Sequence, residues 1–298
     1  MNKLMTVVAA SVCAVSFSGV AVAAETQVNE NKEAAEAAEQ EESSAFEAGF
    51  DFDFFSAYVW RNAIMTDEMV MQPSVWADWT FIDPFYIGGS FWQNYDLTNR
   101  RGEYLRKGLT ETDYNVHVGA TAWASDDGNQ ELGIEIGHEW YDNDFVRSGW
   151  GNDCPDTREL YALITYDNPI VNIYGRASWM YADFGDYSSG LHYEIGFNKE
   201  FDVAEFIDIP EDTLAIGADW NVNFADEDYT MFLYGTDTYG FGGTTIKFYL
   251  NWSVTSWMKL CGTIAYTGIL NASSRDELDD ADYDRDFVWG GFSLKLEF

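Results

Sequence analysis

Charged side chains recur at alternate positions inside otherwise apolar segments of the sequence. Glu131, Glu135 and Glu139 are the plainest case, because apolar residues and glycines separate them. In a β-strand such alternate side chains share one face, and carboxylates on a shared inner face raise the local concentration of cations. The predicted chemistry is therefore ion and solute passage. The predicted pore-lining residues are Asp51, Asp53, Arg61, Asp78, Glu131, Glu135, Glu139, Glu159, Arg176, Glu194, Asp219, Lys247 and Lys259, with Lys295 on the same face.

The same charges have a second interpretation, a salt-bridged interior that fills a narrow barrel. Gly133 and Gly137 leave room beside the glutamates of their strand, which suits either dense packing or a pore. Arg61 is predicted near the outer end of the first strand. It either constricts a pore or holds Asp51 and Asp53 in register, and the sequence leaves both readings open.

Catalytic residues are not predicted. A hydrolase facing the lipid would need Ser and His together, with a carboxylate or amide to orient the imidazole. His138 is predicted to face outward between Ile136 and Trp140, without a serine, whereas His117 and His192 face inward on separate strands. Neither a Gly-x-Ser-x-Gly elbow nor a zinc-spaced histidine pair occurs. We therefore expect neither enzymatic activity nor a cofactor.

Two acidic segments stand outside the alternating pattern. Asp282, Asp284 and Asp286 have the spacing of the start of a calcium loop, but the turn glycine and the closing glutamate are missing. A second segment covers residues 226–228. Both are read as solvated surface, with divalent cations that bridge to lipopolysaccharide as the alternative.

The elements that would position these residues are strands with two different faces. From Phe46 onward, apolar and polar residues alternate with a period of two, and short turns alternate with longer polar connections, as in transmembrane barrels. The prediction is an all-β fold, a transmembrane antiparallel up-and-down β-barrel of about 12 strands. The predicted strands lie within residues 46–60, 75–81, 85–91, 116–122, 132–136, 160–166, 171–179, 191–197, 214–222, 246–252, 258–266 and 292–298.

Composition excludes two classes of protein. The formal net charge is −35, so the chain lacks the basic surface that nucleic-acid binding needs. With 12 Trp, 18 Tyr and 21 Phe it is too aromatic for an acidic disordered chain. A membrane barrel separates these two features, because aromatics face lipid while charges occupy the lumen and loops.

The N-terminal region is predicted to direct export. Residues 1–24 have the anatomy of a secretory signal peptide, with cleavage near Ala23 and Ala24. Residues 25–45 form an acidic periplasmic linker or a short helix, and residues 46–298 form the barrel. The expected location is the bacterial outer membrane. A single disulfide between Cys154 and Cys261 is left open.

Two segments resemble an uncharacterised, porin-like family of bacterial outer-membrane β-barrel proteins. One is Ser56-Ala57-Tyr58-Val59-Trp60-Arg61 followed by Met71-Gln72-Pro73-Ser74, and the other is residues 159–167 with Pro169. This chain has Asn62 where the family usually has glycine. Phe298, at the end of an alternating strand, is similar to the signal that barrel-assembly machinery recognises. The resemblance implies an outer-membrane barrel and brings no substrate with it.

The sequence is compatible with three kinds of protein. The first is a narrow, cation-preferring channel for small cationic or neutral solutes. The second is a plugged structural or adhesive barrel whose acidic loops bind divalent cations and lipopolysaccharide. The third is a soluble secreted β-sandwich, which would need no membrane lipid.

Overall fold

A closed antiparallel β-barrel accounts for most of the described residues. The computed structural model describes residues 45–97, 108–143, 156–181, 189–207, 209–210, 212–234, 236–280 and 285–298. The predicted signal peptide, nearly all of the acidic linker, and Cys154, Asp282 and Asp284 lie outside these residues. No described helix is long and apolar enough to cross a membrane.

Twelve strands form the barrel and two short ones form a separate hairpin. The strands are β1 (Ala45–Phe55), β2 (Tyr58–Trp60), β3 (Ala63–Thr66), β4 (Val70–Ile82), β5 (Phe85–Asp96), β6 (Gly108–Ala124), β7 (Glu131–Asn143), β8 (Thr157–Asp167), β9 (Asn172–Met180), β10 (Gly190–Asp202), β11 (Leu214–Ala225), β12 (Gly240–Thr255), β13 (Met258–Ile269) and β14 (Asp286–Glu297). The described helices are α1 (Ala204–Ile207), α2 (Glu227–Tyr234) and α3 (Ala272–Asp280).

Each barrel strand pairs with its neighbour in sequence, and β1 closes the barrel by pairing with both β4 and β14. In the closing pair Phe50 lies opposite Leu296, and the amide of Phe298 donates to the carbonyl of Ala48 at 2.8 Å. The predicted pairing of the last strand with the strand begun at Phe46 is confirmed, as is the twelve-strand barrel fold.

The two faces of the wall have opposite chemistry. Along β8, for example, Leu160 and Ile164 are exposed on the outer face, while Glu159, Tyr161 and Thr165 are buried inside. A soluble domain buries its apolar face, whereas an apolar exterior around a polar interior is the arrangement of an outer-membrane barrel. The molecule is therefore a transmembrane barrel of that type, and the secreted sandwich is excluded.

Inward tyrosines cover glycines of the adjacent strand. Tyr161 lies directly opposite Gly137 in register, and a Cβ on Gly137 would overlap its ring. Gly133 is covered by Thr165 in the same way. The room predicted beside these glycines is therefore filled, which is the dense-packing alternative. The same direct opposition joins Tyr86 to Gly119, Tyr174 to Gly196 and Tyr249 to Gly217.

The first connection departs from the prediction. The sequence pattern predicts one first strand over residues 46–60, with Tyr58 and Trp60 on the same outward face as Phe46, and this prediction is wrong. Strand β1 ends at Phe55, and the chain then folds into the lumen as the β2–β3 hairpin, where Tyr58 is buried against Trp92 at 5.4 Å between ring centroids. Turning inward removes these aromatics from water, because they pack with Phe55 and Trp289.

Candidate functional site

The hairpin carries Arg61 and Asn62 at its tip. Both residues have left-handed backbone conformations, with φ of 49° and 64°. Asparagine adopts this region more readily than most residues, so Asn62 supports the turn at the position where the resembled family has glycine. Asn223 holds the tip by donating to the Arg61 carbonyl at 2.5 Å, and Thr245 donates to the side-chain oxygen of Asn62 at 2.5 Å.

Arg61 was predicted to lie near the outer end of the first strand. Its side chain instead reaches the opposite wall of the barrel. Its guanidinium donates to Glu159 at 2.5 Å, to the Tyr229 hydroxyl at 2.7 Å and to the Tyr141 hydroxyl at 3.3 Å, and lies 3.2 Å from Nδ1 of His192. Burial alone would lower the pKa of Arg61, but the charge of Glu159 holds it above its ordinary value. The hairpin therefore spans the lumen and is fixed at its far end.

Arg176 completes a buried cluster of two arginines and two glutamates. It lies 2.6 Å from Glu139 and 2.9 Å from Glu159, and Arg61 lies 3.6 Å from Glu139. The Arg176 guanidinium also sits 4.0 Å from the ring centroid of Tyr161. Because the two positive charges face two negative ones, this part of the interior matches the salt-bridged interpretation.

A second set of inward polar contacts, around Glu135 and His117, lies nearer the short turn between β6 and β7. Glu135 accepts hydrogen bonds from Tyr161 at 2.7 Å and from Tyr86 at 3.0 Å. His117 lies 2.8 Å from Asp78, which places an imidazole between two acidic strands. These contacts stiffen the wall, since Tyr161 lies on the strand next to Glu135, while Tyr86 and Asp78 each reach a partner two strands away.

A cavity of about 150 Å³ remains beside the hairpin. Aromatic rings of Tyr58, Trp60, Trp92 and Trp289 border it, together with polar side chains from several barrel strands. A cavity of this size holds a small organic molecule.

The predicted pore-lining residues divide into two sets, and all of those on barrel strands lie on the inner face. The residues that border the cavity are Asp53, Arg61, Glu139, Arg176, Glu194 and Lys247. The residues that lie elsewhere on the inner face are Asp51, Asp78, Glu131, Glu135, Glu159, Asp219 and Lys259, with Lys295. That they line a conducting path stays a prediction.

Helix α2 supplies side chains that sequence reasoning missed. Asp226, read as part of an acidic surface loop, instead caps this helix by accepting from the amide of Tyr229 at 2.9 Å. Tyr229, Phe232 and Leu233 are buried against the hairpin side of the lumen. Their spacing of three and four residues after an acidic cap was the available signal for an inward-facing helix.

The histidines and other candidate ligands occupy separate places. His138 lies on the outer face, hydrogen-bonded to Tyr181, with its ring centroid 3.8 Å from that of Trp140. Asp286 pairs with Arg275 at 2.9 Å. Within the described ranges no group of three or more His, Cys, Asp or Glu side chains is arranged to hold a metal ion.

Comparison with known proteins shows similarity in structure alone. The sequence matches no protein-family model and no curated protein. An outer-membrane channel from Pseudomonas putida F1 is 9% identical and has a TM-score of 0.49, over 86% of this chain and 95% of that one. The NanC porin is 10% identical, with a TM-score of 0.47 over 85% and 99% of the two chains. The KdgM porin is 9% identical, with a TM-score of 0.42 over 85% and 99%.

Proposed function

We propose that this protein is a narrow outer-membrane channel for small cationic or neutral solutes, with the β2–β3 hairpin as its constriction. The observation that carries the proposal is a charged lumen that still holds a cavity of about 150 Å³ beside the hairpin. A purely structural barrel would gain more by filling that space.

The cation preference rests on unequal charge inside the barrel. The formal charges of the buried arginine–glutamate cluster cancel, because it holds Arg61 and Arg176 with Glu139 and Glu159. Among the other inward groups carboxylates outnumber ammonium groups. The carboxylates are Asp51, Asp53, Asp78, Asp96, Glu111, Asp113, Glu131, Glu135, Glu194 and Asp219, and the ammonium groups are Lys247, Lys259 and Lys295. An acidic lumen raises the local concentration of cations relative to anions.

Planar-bilayer recording of the refolded protein tests this function. Under a potassium chloride gradient, the reversal potential is expected to show cation preference. The double variant Asp51→Asn, Asp219→Asn is expected to reduce that preference, while Asp127→Asn on an exposed turn leaves it unchanged. Absence of conductance, or preference for anions, would contradict the proposal.

A plugged structural or adhesive barrel is the second candidate, and one observation favours it. The hairpin is held by several contacts from Arg61 and by the bonds of Asn223 and Thr245 to its tip, so it resembles a fixed plug. If conductance stays absent even after the hairpin is removed, the plugged barrel is the better description.

The remaining features belong to the same proposal. Residues 1–24 act as a cleaved signal peptide and residues 25–45 as a periplasmic linker before the barrel. Barrel-assembly machinery recognises Phe298 and its strand, and the long loops between strands face lipopolysaccharide. Mass determination of the mature N-terminus tests the first of these, since cleavage elsewhere would contradict it.

A further inference from the structure

Several polar atoms around the hairpin cavity are buried without a partner in the described chain. They are Oδ1 of Asp53, Nδ2 of Asn62 and Oδ1 of Asn221. These residues are 7, 3 and 6% exposed, and all three border the cavity. A buried polar atom that lacks a hydrogen bond costs about 1–3 kcal/mol. Water or a polar guest must therefore supply the missing bonds.

Unpaired charges of both signs border the same space. Lys247 is buried on β12, and no carboxylate oxygen of the described residues lies within the 4.0 Å of an ion pair. Asp53 on β1 and Asp113 on β6 each keep one carboxylate oxygen without a partner, although Ser293 bonds the Asp53 carboxylate. All three residues border the cavity.

This arrangement differs from that of the neighbouring arginines. Arg61 and Arg176 share Glu139 and Glu159 as direct partners. Lys247 and Asp53 belong to the same lumen, yet they are held apart on different strands. Asp219 lies directly opposite Lys247 in register, but the two side chains form no direct ion pair. Because a buried charge without a direct partner is costly, a guest that carries both charges would suit the space between Lys247 and Asp53.

We propose that the cavity binds a small zwitterion of the amino-acid type, a deepening that rests on the proposed channel function. The carboxylate of the guest pairs with Lys247 and accepts from Asn62, and its ammonium group donates to Asp53. A cavity of about 150 Å³ suits a guest of roughly six non-hydrogen atoms. A simple cation would leave Lys247 without a partner beside a second positive charge. A simple anion would leave Asp53 without a partner beside a second negative charge.

Three related small probes test the proposal on the full-length refolded protein in detergent micelles. L-alanine carries both charges, isopropylamine replaces its carboxylate with a methyl group, and isobutyrate replaces its ammonium group with a methyl group. Saturation-transfer NMR is expected to show alanine binding at least about tenfold more tightly than either singly charged analogue. Equal binding of isopropylamine or of isobutyrate would overturn the zwitterion, and absence of alanine binding would mean that water alone fills the cavity.

Variants locate the site. Lys247→Met and Asp53→Asn are each expected to weaken alanine binding about tenfold. The matched changes Lys199→Met, which removes an ammonium bound to a turn carbonyl, and Glu47→Gln, which removes a carboxyl outside the cavity, are expected to leave binding unchanged. If all four variants bind alanine like the wild type, the assignment to this cavity fails.

The comparison of probes on the wild-type chain needs no variant, so a misfolded variant does not decide the question. Failure of this inference is also separable from failure of the channel. Conductance without alanine binding contradicts only the zwitterion site, and alanine binding without conductance contradicts only the channel.

Discussion

Gly137 stands between Glu135 and Glu139 on β7, and the space left by its missing side chain is filled by the ring of Tyr161. The Tyr161 hydroxyl donates a hydrogen bond to Glu135, and the ring lies against the Arg176 guanidinium. A single tyrosine thus orients one carboxylate and one cation of the lumen. The glycine opposite is required because only a residue without a Cβ lets the ring lie flat across the adjacent strand.

Gly137→Ala is expected to destabilise the barrel by roughly 1–3 kcal/mol, because the added methyl group overlaps the Tyr161 ring. The midpoint of guanidinium unfolding, followed by tryptophan fluorescence of the refolded protein, measures the effect. Gly262→Ala is the matched control, since a Cβ there meets open space. Equal shifts in the two variants would show that the Tyr161 contact is not responsible.

At the scale of elements, the β2–β3 hairpin decides how open the lumen is. It leaves the wall after Phe55 and returns at Val70, and these two residues are directly opposite in register. The wall is therefore continuous without the hairpin, and the inserted segment serves the interior. Helix α2 supports it from the loop side, where Tyr229 stacks with Trp60 at 6.4 Å between ring centroids.

Replacing residues 56–69 with an Asn-Gly turn is expected to leave the barrel folded and to increase single-channel conductance several-fold. Asn-Gly suits this replacement because it forms the two-residue turns that join paired strands. Conductance in planar bilayers measures the effect, and replacing residues 125–130 with the same dipeptide controls for loop shortening at the opposite rim. Unchanged conductance in the hairpin variant would contradict the hairpin as the constriction.

At the scale of the whole molecule, the apolar belt and the acidic lumen are two faces of the same wall. Ile136 is 62% exposed at the middle of β7, while its neighbours Glu135 and Gly137 face inward. Ile170 is 82% exposed, but it lies in the turn between β8 and β9. Exposure alone does not separate these positions; depth in the bilayer does.

Ile136→Arg is expected to destabilise the barrel in lipid vesicles by roughly 2–4 kcal/mol, and Ile170→Arg by about 0–1 kcal/mol. The difference arises because a charge at mid-depth cannot keep its hydration, whereas one at the rim can. Reversible unfolding in vesicles measures both free energies. Similar costs at the two sites would place the membrane elsewhere on the barrel.

The strands and their faces were predictable from the sequence. Alternation with a period of two is local, and the outer environment is uniformly apolar, so each strand reports its own orientation. The predicted strands on both sides of the turn at residues 125–129, for example, correspond to β6 and β7. Their ends were less predictable, since β6 runs several residues beyond the predicted segment at its beginning.

The hairpin was not predictable in the same way. Tyr58 and Trp60 continue the alternation of β1, so a local pattern extends the strand through them. What turns the chain inward is distant in sequence, namely Glu159, Tyr229 and Thr245, which bind its tip.

The sequence by itself predicted a membrane barrel, which side chains of each barrel strand share the polar face, and how strongly acidic that face is. Each of these follows from residue type and period. Only the tertiary structure decided which inward charges neutralise one another and which stay apart. Arg61 pairs across the lumen, while Lys247 and Asp53 remain unpaired beside a cavity. Pairing depends on distances between strands far apart in the chain, and strand alternation carries no information about those distances.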